Sequence, residues 1–346
     1  MLLNKKPSLS FDDVAILPAY SDIRSRTEVN LTQYIGKYEI KLPIFSSPMD
    51  TVTGPAALST MIKGGGSGII HRYCSIAEQV KMLEDTLKLC DYNNSKLYGA
   101  AIGVKDDYLK RAESLVEAGC NLLCIDVAHG HHILMKEAIE QINQKVWRSQ
   151  IILMAGNIAT PEGFWFLEEL GVDLIRCNIS GGSICASFTK TGAGIPTLQC
   201  ILDIVESKYN RKSKIIADGG IKDSGHICIA IAAGADYVMC GSILAGHDEN
   251  PGQIVEQNGK QYKLYRGMAS TSAQEAFKGS YNSNEGVSAL IPYKGSLEKT
   301  LKELDNGIRS GVSYTGQRNL DDFRESVKLI QLTNSATKQL HPHINN

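Results

Sequence analysis

The sequence predicts a single α/β domain folded as a (β/α)8, or TIM, barrel, and three observations carry that prediction. Short apolar runs without polar alternation recur along the chain, as buried parallel strands require. Amphipathic stretches separate them. The helix ends also repeat: residues 117–123 (EAGCNLL), 169–175 (ELGVDLI) and 232–238 (AAGADYV) each place a glycine, a polar residue and then an apolar run in the same order. Gly119, Gly171 and Gly234 fit left-handed helix caps, and a unit returning at offsets of 52 and 63 residues reads as repeated βα units. A doubly wound open sheet is the alternative, because strand runs alone do not prove closure.

In chain order the predicted strands are 43–47, 68–71, 97–102, 122–126, 151–157, 174–178, 214–220 and 237–241. The helix-like segments between and after them are 54–62, 75–90, 107–118, 133–144, 161–170, 196–209 and 225–233. Ser75 with Glu78 spells a capping box, and Asp107 opens the third helix. The connection Ser180 to Gly194 (SGGSICASFTKTGAG) has neither period, and a long structureless loop inside a compact domain is usually functional. Residues 335–346 read as a flexible tail.

Composition narrows the function. With 36 Lys+Arg against 37 Asp+Glu and a net charge of -1, the chain lacks the basic footprint of a nucleic-acid or anionic-membrane binder. No apolar run approaches the roughly 20 residues of a membrane span. The opening residues lack a signal peptide's apolar core, and nine cysteines without a C-x-x-C pair fit reduced thiols, so a cytoplasmic enzyme is expected.

Chemistry in this fold sits at the C-terminal ends of the strands. Gly219-Gly220 and Gly241-Ser242 follow the seventh and eighth strands, where bare backbone amides commonly cradle phosphate. Asp218, beside them, repels phosphate but suits a sugar's vicinal hydroxyls, so the combination suggests a nucleotide. Cys185 lies among small polar loop residues, open to act as a nucleophile, with the Ser187 and Thr189 hydroxyls nearby and a carboxylate at Glu285. His129, His131 and His132 lack zinc spacing. No dinucleotide glycine fingerprint follows a strand, so a nicotinamide cofactor would bind without a Rossmann unit.

These motifs resemble, in order and spacing, those of the IMP dehydrogenase and GMP reductase family over nearly the whole chain: SSPMDTV at 46–52, Gly156-Asn157, GSIC at 182–185, IADGG at 216–220, VMCGS at 238–242, YRGM at 265–268, Glu285-Gly286 and PYKG at 292–295. The resemblance implies a homotetrameric barrel in which Cys185 attacks C2 of a purine nucleotide and hydride passes between that carbon and a nicotinamide. By position, Ser183, Gly219, Gly220, Gly241, Ser242 and Tyr265 would hold the 5′-phosphate and Asp218 the ribose. Ser47, Met49, Gly267, Met268, Ala269 and Gly286 would hold the base. Arg72, Asp126, Val127, Ala128, Asn157, Ile179 and Ser180 would face the nicotinamide, with Ser25, Arg26, Ser310, Gly311, Val312 and Ser313 as outer cofactor contacts. Carbonyls of Ser180, Gly182 and Cys185 would form a potassium site.

Between the two activities, the resemblance favours GMP reductase: NADPH-dependent conversion of GMP to IMP and ammonia, with Ser187 and Glu285 moving the proton. The dehydrogenase usually carries a regulatory insert after the second strand, which this chain lacks, and a flap with an Arg-Tyr pair that activates water. Between Met268 and Glu285 there is no arginine. Against this, Ile70-His-Arg72, Tyr265-Arg-Gly-Met268 and His129-Gly-His131 look more like the dehydrogenase. A compact IMP dehydrogenase and a non-catalytic purine-binding barrel are the alternatives; Ser187 in place of the family's threonine and Ser180-Gly181 in place of its Gly-Pro motivate the latter.

Overall fold

The computed structural model describes residues 7–90, 92–207, 210–278 and 285–340. Eight parallel strands close a barrel: β1 (Ile44–Ser46), β2 (Ser67–Ile70), β3 (Gly99–Ile102), β4 (Leu122–Asp126), β5 (Ile152–Ile158), β6 (Leu174–Cys177), β7 (Lys214–Asp218) and β8 (Tyr237–Cys240). Each pairs with its neighbours in sequence, and β8 returns to β1, which excludes the open sheet. The strands are nearly continuously buried because helices cover the outside and side chains fill the inside.

The helices that follow the strands in turn are α1 (Pro55–Lys63), α2 (Ile76–Leu89), α3 (Tyr108–Glu117), α4 (Ile133–Asn143), α5 (Pro161–Glu169), α6 (Thr197–Ser207), α7 (Ser224–Ala232) and α8 (Leu297–Ser313). The Ser75–Glu78 box caps α2 in both directions, a device worth about 1 kcal/mol. Asp107 precedes α3 without capping it, since its carboxylate is taken by Arg111. Gly119, Gly171 and Gly234 all have positive φ, as their repeated context predicts.

Three expectations change. α8 was not among the predicted helices. The 180–194 connection contains a short helix, Ser187–Thr191. The expected flexible tail is helical over Asn334–Leu340, where the Thr337 hydroxyl donates to the Asp12 carbonyl, while residues 341–346 lie outside the described residues.

Two apolar clusters organise the interior. One joins strands to helices; the other fills the barrel with Phe45, Ile69, Leu122, Met154, Leu174, Ile216, Tyr237 and Met239. A hairpin of Gln33–Ile35 and Tyr38–Ile40 adds Ile35, Tyr38 and Ile40 to this inner cluster. The barrel interior is therefore a packed core, and its open space lies among the loops after the strands. After β8 the chain forms an antiparallel sheet of Val255–Gln257, Lys260–Arg266 and Ser288–Pro292, with the helix Thr271–Lys278 between its last two strands. No described helix is long and apolar enough to cross a membrane.

Candidate active site

The loops at the C-terminal ends of the strands enclose a cavity of about 430 Å³, the size of a small-ligand site. Its most reactive group stands on the connection after β6. Asn178, at φ 139°, turns the chain out of the strand, and its amide donates to Thr197 Oγ1 (2.6 Å) and to the Asp218 carbonyl (2.8 Å). Both ends of the loop are thus tied to β7. A Cβ at Gly181 would fall 1.8 Å from the Asn178 amide nitrogen, so glycine here leaves the Asn178 side chain in place.

Cys185 is the one exposed cysteine of the nine. Burial pushes Cys120, Cys124 and Cys228 up to about 12, so those thiols stay protonated and inert. The Cys185 Sγ lies 3.3 Å from Ser187 Oγ, whose hydroxyl donates to Glu285 Oε2 at 2.7 Å. Backbone bonds hold this line in register: the Ala186 amide donates to the Glu285 carbonyl (2.7 Å) and the Val287 amide to the Ile184 carbonyl (3.0 Å). A nucleophile, a hydroxyl relay and a carboxylate are aligned as covalent catalysis with proton transfer requires.

Beside the cysteine loop, Gly219 and Gly220 take φ of 94° and 78° in succession, a conformation costly for other residues. A Cβ on Gly219 would meet the Gly181 and Gly182 backbone at 3.1 Å, so this turn and the cysteine loop approach as closely as their backbones allow. Gly241 sits beneath the Tyr265 hydroxyl, which a Cβ would meet at 2.9 Å. Burial raises the Tyr265 hydroxyl above its ordinary 10, and it remains a neutral donor. Gly241 leads into a single 3-10 turn, Ser242–Leu244.

A buried guanidinium, which the sequence reading missed, organises the floor. Arg176 on β6 donates to Asp218 Oδ2 through Nε (3.0 Å) and a terminal nitrogen (2.8 Å), and to Asp126 Oδ1 (2.5 Å). Asn157 adds a bond to the same Asp218 oxygen at 2.7 Å. Gly156 makes room, since its Cβ would meet Arg176 Cβ at 2.6 Å. The flanking carboxylates hold the guanidinium charged despite burial. The available signal was a lone charge inside an otherwise apolar strand.

Arg72 donates to the Asp126 carbonyl (3.2 Å) and lies over the Tyr73 ring, while its Nε and Asn178 Oδ1 have no partner among the described residues. Such orphaned atoms on a cavity wall suit a polar ligand. Asp50 and Arg266 form an ion pair joining the β1 tip to the segment that carries Met268.

The structure brings together on this cavity the predicted Ser47, Met49, Ser183, Cys185, Ser187, Asp218, Gly219, Gly220, Gly241, Ser242, Tyr265, Gly267, Met268, Ala269, Glu285 and Gly286, and also Arg72, Asp126, Val127, Ala128, Asn157, Ile179, Ser180 and Gly182. Ser25, Arg26 and Ser310–Ser313 are not on its wall. Ser25 caps a 3-10 turn, Arg26–Glu28, that packs on α8. Val312 is fully buried, and Gly311, partly exposed, packs against α7, where a Cβ would meet Cys228 Sγ at 2.6 Å.

Fold and site together define a barrel enzyme with an exposed loop thiol set between a hydroxyl–carboxylate pair and glycine turns. The chain belongs to the IMP dehydrogenase / GMP reductase family, whose domain profile, described as IMP dehydrogenase / GMP reductase domain, matches residues 8–343, and so to a family of oxidoreductases of purine metabolism. It is 34% identical to the inosine-5′-monophosphate dehydrogenase of Borreliella burgdorferi, covering 98% of this chain and 97% of the relative. It is 28% identical to the GMP reductase of Leishmania donovani, covering 97% and 96%. Among solved structures, a cysteine-to-alanine variant of GMP reductase from Trypanosoma brucei in complex with guanosine 5′-monophosphate superposes with a TM-score of 0.92 at 26% identity, covering 99% of this chain and 98% of that one.

These comparisons remove one discriminator. The alignment with the Leishmania reductase runs to 474 positions against the 346 residues here, and that with the Borreliella dehydrogenase to 395. A long extra stretch therefore accompanies a relative named reductase and is shorter in a relative named dehydrogenase, so its absence here separates neither activity.

Proposed function

We propose that this chain is a GMP reductase. The observation that carries the reading is the Cys185–Ser187–Glu285 line combined with a flap, residues 269–284, that contains no arginine. The glycine turns would take the 5′-phosphate, and Asp218, held by Arg176 and Asn157 through Oδ2, would turn its other oxygen to the ribose. Cys185 as thiolate adds to C2 of GMP, forming an S–C2 bond. The exocyclic amine gains a proton through Ser187 and Glu285 and leaves as ammonia. NADPH supplies hydride to C2; the S–C2 bond then breaks, returning the thiolate and releasing IMP.

The Arg72, Asp126 and Asn157 side of the cavity fits the nicotinamide end of that co-substrate, with the free Arg72 Nε as an unspent donor. A potassium ion fits less well. The three carbonyls suggested for it are half of the six or so oxygens a hard cation takes. No step is assigned to it.

The second reading, IMP dehydrogenase, is favoured by the 34% identity to a relative of that name. Incubating the protein with GMP and NADPH, and separately with IMP and NAD, decides between them. The expected result is NADPH consumption with ammonia release and a trapped adduct on Cys185. NADH formation from IMP with no loss of NADPH would overturn the proposal.

A further inference from the structure

Outside the cavity, on the far side of the Gly219–Gly220 turn, lies a cluster that the mechanism above does not use. His226, in the first turn of α7, is almost completely buried at 6% exposure. Its Nδ1 accepts the backbone N–H of Lys222 at 3.3 Å, so that nitrogen carries no proton. A neutral ring then has its proton on Nε2, which faces Asp12 Oδ1 at 3.2 Å. The second Asp12 oxygen takes the Lys222 ammonium at 2.7 Å. Phe11 stacks on the imidazole with centroids 5.4 Å apart and planes 26° from parallel, and its ring lies 3.6 Å from where a Cβ on Gly220 would stand.

Two consecutive glycines at positive φ make this turn intrinsically permissive, and that freedom opposes binding unless something outside the turn removes it. The far end of the turn is fixed by the bond from the Lys222 amide to the imidazole. The imidazole is fixed in turn by Asp12 and Phe11, which come from the other end of the chain. We infer that His226, braced by Asp12 and Phe11, is a positioning residue that presets the Gly219–Lys222 turn for the substrate's phosphate. The inference rests on the proposed reading of that turn as the phosphate site.

Calorimetric titration with GMP, and with guanosine as the phosphate-free probe, tests it. His226→Ala strands the Lys222 amide and should weaken GMP binding about tenfold while guanosine binding stays within about twofold. His226→Asn places an amide oxygen near the position of Nδ1 and should restore GMP binding to within about threefold of the unaltered protein. Asp12→Ala, at a half-exposed carboxylate, should reproduce part of the loss and serves if His226→Ala does not fold. Unchanged GMP affinity in the folded variants, or equal losses for GMP and guanosine, would overturn the inference. Equal affinity of the unaltered protein for GMP and guanosine would instead remove the phosphate reading, and the inference with it.

Discussion

Replacing Arg176 by Met tests the reading of the site floor at its most buried point. Its side chain is 7% exposed, and the Asp126 and Asp218 side chains that share it are 22% and 13% exposed. Methionine fills much of the same volume, so the change removes charge more than packing. Both carboxylates then lose the cation that pairs with them among the described residues, at low exposure. Removing one member of a buried ion pair costs roughly 3–5 kcal/mol, mostly because the remaining charge is uncompensated. With an unfolding slope of about 3 kcal/mol/M for a large domain, the urea midpoint should fall by roughly 1 to 1.7 M. Trp147 and Trp165 provide the fluorescence signal. Arg176→Met combined with Asp126→Asn should recover part of the loss, because one of the stranded charges is gone. A midpoint within about 0.2 M of the unaltered protein, or a double variant less stable than the single one, would refute the account.

Three further outcomes follow from named contacts. Ser187→Ala breaks the proton line and should lower kcat about 10²-fold or more, with GMP binding unchanged and Ser187→Thr largely restoring turnover, read by steady-state kinetics. Gly219→Ala forces a Cβ onto a residue at φ 94° and to 3.1 Å from the cysteine-loop backbone, so it should weaken GMP binding about tenfold and lower stability by roughly 1–3 kcal/mol, read by calorimetry and thermal melting. Asp236 is 1% exposed; burial raises its carboxyl, but Arg211, Arg324 and Lys214 outweigh this and the net direction is down from 3.8. Its contribution is therefore complete above that value and lost as pH falls through the lower folded pKa, so Asp236→Asn should flatten the acid limb of the stability curve below about pH 4, measured by urea unfolding across pH.

The barrel was legible because the strands are almost continuously buried and three helices, α3, α5 and α7, run into the same left-handed glycine, features written locally. α8 was equally periodic, with Leu297, Leu301, Leu304, Ile308 and Val312 buried along one stripe, yet Gly307 and Gly311 argue against a helix by propensity. The structure shows why they are there: a Cβ at 307 would meet Ser224 Oγ at 2.2 Å, and one at 311 would meet Cys228 Sγ at 2.6 Å. Close packing against α7 requires glycine, and tertiary contact overrides propensity. Arg176 was hidden for a different reason. Its partners lie 50 and 42 residues away, and only the order of strands around the barrel brings them together.

The same order of strands leaves the choice of activity to one proton. Protonating a departing amine and deprotonating an attacking water are opposite directions along the Ser187–Glu285 line, so the line by itself serves either reaction. The two differ in when it acts. In the reductase, ammonia must leave before hydride can reach C2, so Glu285→Gln blocks the reaction ahead of hydride transfer. In the dehydrogenase, hydride leaves C2 first and water follows, so the same variant permits one round of hydride transfer before it stalls. The flap segment contributes no guanidine to take over from Glu285, and its helix Thr271–Lys278 is held against the β2 tip by Phe277 on Tyr73, with ring centroids 5.4 Å apart. In a stopped-flow experiment, Glu285→Gln should therefore show no rapid NADPH loss with GMP and no ammonia. A burst of one NADH per site from IMP and NAD, followed by arrest, would assign the chain to the dehydrogenase, because only there does the carboxylate act after the hydride has moved.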